Sequence, residues 1–79
     1  MSTVTLYGRP GCHLCDDARE ALQRVRRAHP FTLEEQDIEC DDDLLRRYLE
    51  RIPVICLDGD ELYDFFVDEH DLARRLALL

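Results

Sequence analysis

Apolar positions along this chain repeat with two different periods. Between Thr3 and Tyr7, Val4 and Leu6 alternate with Thr3, Thr5 and Tyr7, a β-branched and aromatic run that predicts a strand. From His13 to Ala28 the period lengthens. Leu14, Ala18, Ala21, Leu22, Val25 and Ala28 follow one another at four, three, one, three and three residues, which traces one helical face. Asp16, Asp17 and Glu20 occupy the early turns and Arg24, Arg26 and Arg27 the last, so both ends complement the helix dipole. Glu20 and Arg24 are expected to form an i,i+4 pair. Gly8-Arg9-Pro10-Gly11 separates strand from helix, and His29-Pro30 closes the helix.

A second strand is expected over Phe31 to Ile38, polar enough to suit a sheet edge. Asp41 is placed to cap a short helix whose apolar stripe is Leu44, Leu45, Tyr48 and Leu49. Arg51-Ile52-Pro53 ends that helix, and Val54-Ile55-Cys56-Leu57 is a continuous apolar run, the mark of a central strand covered on both faces. Asp58-Gly59 signals a tight hairpin, returning the chain through Leu62, Tyr63, Phe65, Phe66 and Val67. Asp68, with Asp71 three residues on as a partial capping box, starts a last helix that buries Leu72, Leu76 and Leu79. The order β-α-β-α-β-β-α, without linker or repeat, predicts an α/β fold with one sheet and helices on both faces.

Composition adds exclusions. The 79 residues suffice for one domain, and 46% apolar with 35% charged residues describes a globule rather than a disordered chain. Eighteen acids against ten bases leave a net charge of −8, which repels phosphates and excludes a nucleic-acid partner. All ten bases are arginine. No apolar run is long enough to span a membrane, and no secretory leader pattern opens the chain. The expected compartment is therefore the cytoplasm, where thiols stay reduced.

The chemistry concentrates at the first strand-to-helix junction. Cys12-His13-Leu14-Cys15 is a C-x-x-C, the spacing of a dithiol redox pair when it follows a strand and opens a helix. Unpaired N–H groups and the positive end of the dipole at a helix start favour a thiolate there, while Asp16 and Asp17 oppose it. Cys15 lies three residues before Ala18 and seven before Leu22 and so leans toward the core, whereas Cys12 precedes the first turn and faces out. An attacking thiol and a resolving thiol need that asymmetry.

Other residues read more plainly. His13 is expected as a surface spacer, Cys56 as a small core residue, and Cys40 as an exposed thiol without a redox role. Asp41-Asp42-Asp43 lacks the spacing of a calcium loop, residue 16 is not the histidine that c-type haem needs, and no second ligand pair supports structural zinc.

The element order, the C-x-x-C after the first strand and Ile52-Pro53 opening the third together resemble the glutaredoxin branch of the thioredoxin fold, over essentially all of residues 1–79. The segments LYGRPGCHLCDDA and ERIPVI are similar to a group of short bacterial glutaredoxin-like proteins. The resemblance implies a four-stranded mixed sheet, with Cys12 as attacking and Cys15 as resolving cysteine. It implies a cis bond before Pro53 and a substrate backbone paired with that of Ile52. Arg9 takes the place of a basic substrate-side residue. The implied activity is thiol–disulfide exchange on disulfide-containing proteins or glutathione mixed disulfides, by a monomer with no tightly bound cofactor and with glutathione as candidate reductant. The alternative is a non-catalytic binding module on the same fold. One departure stands out: glutathione-using members carry a Gly-Gly pair after the fourth strand, where this chain has Phe65-Phe66-Val67-Asp68-Glu69-His70.

Overall fold

A computed structural model describes residues 2–78. The strands β1 (Thr3–Gly8), β2 (Thr32–Asp37), β3 (Val54–Leu57) and β4 (Asp60–Asp64) form one sheet in the order β2-β1-β3-β4. β1 runs parallel to β2, and β3 runs antiparallel to both β1 and β4. A parallel pair needs a crossover, which is supplied by α1 (His13–Ala28). Asp58 and Gly59 join β3 to β4 with φ of 49° and 90°, the positive values that a two-residue hairpin turn requires. The Asp58 carboxylate accepts the Thr3 N–H at 2.8 Å, tying that turn to the start of β1.

Side-chain alternation splits the interior into two cores. Val4, Leu6 and Ile55 point to one face and pack against Ala18, Leu22 and Val25 of α1 and Leu72 of α3 (Glu69–Ala77). Val54 and Cys56 point to the other and meet Ile38 and Tyr48, the latter on α2 (Asp42–Tyr48). β3 thus serves both cores, which is why its sequence is apolar without a break. Arg24 of α1 holds Glu69 of α3 through two hydrogen bonds of 3.0 Å, fixing the helix pair on the first face.

The expected elements are present, with β2 at an edge, β3 inside, and Asp41 and Asp68 capping their helices by accepting first-turn N–H groups. Several details differ. Ile38 leaves the sheet for a 3-10 turn (Ile38–Cys40) and becomes core. Leu14, Ala28 and Leu49, assigned to apolar faces by periodicity, are exposed, because each sits at a helix end where no neighbouring element covers the face. Arg24 reaches across to Glu69 rather than along its own helix to Glu20. Asp71 does not complete a capping box: its carboxylate takes the Tyr63 hydroxyl, at 2.6 Å, and the guanidinium groups of Arg74 and Arg75. Finally, β4 stops at Asp64, so Phe65 and Phe66 belong to a turn and not to the strand. Leu79, expected in the last helix's buried face, lies outside the described residues.

Candidate active site

The two cysteines take up different positions in one helix start. Cys12 is the cap residue of α1, in extended conformation, and its sulfur accepts the backbone N–H of Cys15 at 3.2 Å. Oxygen side chains usually fill that place. The sulfur thus takes the place of a capping oxygen and satisfies one first-turn N–H of α1. Asp16, one of the two opposing acids, is itself ion-paired with Arg19 at 2.9 Å.

Cys15 is buried, with 2% of its surface exposed, against 50% for its neighbour Leu14. Burial, together with the hydrogen bond to the Cys12 sulfur, pushes its thiol up to about 11, while the Arg9 backbone N–H and the charge of Arg19 act in the opposite direction. Cys15 is thus a buried thiol that keeps its proton beside the half-buried Cys12 sulfur.

What permits the burial is Gly8. A Cβ built on it would lie 2.8 Å from the Cys15 sulfur, closer than real side chains approach, and a tight 3.3 Å from its Cβ. Sequence reasoning treated Gly8 as loop punctuation, yet it ends β1 and is buried. The available signal was a glycine at the last strand position immediately ahead of the cysteine loop.

Sheet register places the proline. Tyr7 pairs with Val54, so Gly8 and Pro53 stand at the same end of neighbouring strands. The Ile52–Pro53 bond is cis, as the resemblance implied, and the Pro53 ring is fully buried. Among the described residues, no hydrogen bond is made to the N–H or C=O of Ile52. The Pro53 carbonyl accepts the Phe65 N–H at 2.8 Å, which seats the turn after β4 beside it. Phe65 has φ of 69°, in the left-handed region, and both it and Phe66 are exposed.

Arg9 is directed elsewhere. Its guanidinium pairs with Glu39 at 2.9 Å, across the rim of a cleft of about 360 Å³ that runs between the Gly8–Gly11 loop, the first turns of α1 and the end of β2. Cys15 lines this cleft and Cys12 does not. Cys12, Cys15, Ile52 and Pro53 thus gather at one sheet end, with Arg9 on the far side of the cysteine loop. Among the described residues, no group of three His, Cys, Asp or Glu side chains is arranged to hold a metal ion, and no helix is long and apolar enough to cross a membrane. Cys40 is exposed, and Cys56 is buried behind Tyr7 and Tyr48 in the second core, its thiol raised by burial.

The family model of the glutaredoxin-like domain (DUF836) matches residues 3–77. The chain belongs to that family. Among solved structures, the glutaredoxin-like chain is similar to protein Ne2328 from Nitrosomonas europaea, at 30% identity over 94% of this chain and 89% of that one, with a TM-score of 0.83. It is also similar to XcR50 from X. campestris, at 36% identity over 96% and 97% of the two chains, TM-score 0.76. A thioredoxin mutant from Halobacterium salinarum, 16% identical over 98% of this chain and 73% of its own, shares the fold with a TM-score of 0.68. The glutaredoxin-like domain is therefore a thioredoxin-type α/β fold with a four-stranded mixed sheet.

Proposed function

We propose that this glutaredoxin-like protein is a thiol–disulfide oxidoreductase that uses Cys12 and Cys15 to reduce disulfides of proteins or mixed disulfides of glutathione. The observation that carries the reading is the pairing of a half-buried sulfur at the helix cap with a fully buried thiol whose backbone N–H it accepts at 3.2 Å. The Cys12 thiolate attacks one sulfur of the substrate disulfide, a new S–S bond forms, and the other substrate sulfur leaves as a thiolate that takes up a proton. Cys15 then gives up its proton and attacks the Cys12 sulfur. The second substrate sulfur leaves as thiol, and the two electrons end on the substrate while a Cys12–Cys15 disulfide remains.

Burial holds the Cys15 proton first and the hydrogen bond to the Cys12 sulfur second; bonding of Cys12 to substrate removes the second hold, which favours attack by Cys15 after the first step. Ile52 supplies the open backbone for a substrate strand and Pro53 positions it. Arg9 meets the substrate only by exchanging Glu39 for it. The reaction regenerates with glutathione or with a thioredoxin-reductase type donor, and it suits the cytoplasm, where such dithiols are kept reduced.

The test supplies each donor system separately to wild type, Cys12→Ser and Cys15→Ser. Turnover by wild type, none by Cys12→Ser, and accumulation of a substrate adduct on Cys15→Ser are expected. No turnover with either donor sinks the enzyme and leaves a binding module.

A further inference from the structure

Three of the large apolar side chains that the fold leaves exposed lie on the segments bordering the reactive pair. Leu14 follows Cys12 by two residues and is 50% exposed. Phe65, whose N–H is bonded to the Pro53 carbonyl, is 47% exposed, and Phe66 is 66% exposed. Phe65 also holds a left-handed backbone conformation, with φ of 69°, that disfavours an L-residue and suits glycine. It is fixed there by its own bond to Pro53 and by the Phe66 N–H donating to the Asp64 carbonyl at 2.9 Å. Such features cluster at ligand clamps, where the surroundings over-determine them.

The charges around the same end point the same way. Arg9 is paired with Glu39, Arg19 with Asp16 and Glu35, and Arg51 with Glu61 and Asp64. An incoming carboxylate meets these three cations already engaged, with Arg47 stacked over the Tyr48 ring, on a chain of net charge −8. Glutathione brings two carboxylates, one ammonium and no large apolar side chain. It matches neither the rim nor the field.

Building on the dithiol reading above, we infer that the substrate is a polypeptide disulfide, presented as an extended segment with a large apolar side chain beside its cysteine, and not a glutathione disulfide. Its backbone pairs with the open N–H and C=O of Ile52, and its apolar side chain covers Phe65 and Phe66. Leu14, in the first turn of α1 two residues after Cys12, is exposed on the helix side.

The experiment measures second-order rates of disulfide reduction by the dithiol form of the full chain. Four oxidants are used: a phenylalanine-flanked cysteine peptide disulfide, an aspartate-flanked one of equal length, glutathione disulfide and the neutral bis(2-hydroxyethyl) disulfide. The expected order has the phenylalanine-flanked peptide about tenfold or more ahead of the aspartate-flanked peptide, with glutathione disulfide slowest. Phe65→Gly combined with Phe66→Ser removes both rings while giving residue 65 a type suited to its backbone. In this variant, with its folded state checked by circular dichroism, the ratio between the two peptides collapses toward equality. Glutathione disulfide reacting as fast as the phenylalanine-flanked peptide, or a preference that survives loss of both rings, overturns the inference alone. Failure to reduce even the neutral disulfide overturns the dithiol reading beneath it.

Discussion

Gly8 and Cys15 occupy space that two side chains cannot share: the sulfur of one stands 2.8 Å from where the other's Cβ would be. The glycine ends β1 and the cysteine opens the buried face of α1, so this single contact sets how closely the helix mouth approaches the sheet. The relationship ties the fold to the proposed chemistry, because a resolving thiol must be both buried and directed at Cys12.

Gly8→Ala is expected to push the first turn of α1 outward and to destabilise the fold by about 1–3 kcal/mol, the usual cost of overpacking. Urea unfolding measures the loss. The chemical consequence is separate. With Cys15 displaced, the Cys12 adduct outlives its normal lifetime, and mass spectrometry after brief exposure to a disulfide finds it. A stable Gly8→Ala protein that resolves its adduct at the wild-type rate contradicts the assignment.

Much of this fold was legible because its periods are clean. The alternation of β1, the unbroken apolar run of β3 and the Asp58-Gly59 turn each have one physical solution, and the cores confirm them. The C-x-x-C was legible too, since strand, loop and helix signals bracket it. What stayed hidden depends on tertiary approach. A glycine does not announce which atom needs its missing Cβ, and apolar periodicity cannot say where coverage ends, so Leu14 and Leu49 looked buried and are exposed. Phe65 and Phe66 continued a strand-like run, but Pro53, next in register, has no N–H to return the bond it accepts from Phe65, and the left-handed backbone of Phe65 turns the chain out of the sheet. Likewise, Arg24 lay four residues from Glu20 but found a two-pronged partner in Glu69 on another helix.

Cys56 is a structural thiol, set apart from the proposed reactive pair. It is 4% exposed, packed with Ile38, Tyr48 and Val54, in the core opposite the one that α1 covers. Cys56→Ser introduces a hydroxyl into an apolar site and is expected to cost about 1–3 kcal/mol in chemical denaturation. Disulfide exchange at Cys12 is expected to be unaffected under folded conditions. A Cys56→Ser protein of full stability, or one that loses exchange while folded, contradicts this division.

The raised thiol of Cys15 carries an alkaline signature. Unfolded cysteine releases its proton near pH 8.5, while the buried thiol holds it up to about 11. Between those values the unfolded chain binds fewer protons than the folded one, so stability falls as pH rises through this window. Cys56, Tyr7, Tyr48 and Tyr63 are shifted upward by burial as well and act in the same direction. The part due to Cys15 is isolated by Cys15→Ser, whose urea midpoint is expected to fall less steeply than wild type between pH 8.5 and 11. Parallel curves overturn the claim that the folded state retains this proton.

Asp71 carries the acidic counterpart. Its carboxylate accepts from the Tyr63 hydroxyl and from Arg75 and Arg74, and these bonds hold it well below the usual carboxylate range, while burial and then the same contact raise the Tyr63 phenol. A depressed carboxylate stabilises the fold above its unfolded value, near pH 4, and that contribution is lost as pH falls toward the folded value. Asp71→Asn keeps an acceptor for Tyr63 but removes the charge that gathers the two arginines. Its stability is therefore expected to decline less than wild type's on acidification below pH 4, as read from urea midpoints at matched ionic strength. Added salt shrinks the difference, because the arginines are open to solvent, at 65% and 48% exposure. If Asp71→Asn and wild type lose stability in parallel, the link from β4 to α3 rests on the Tyr63 hydroxyl and not on the charge.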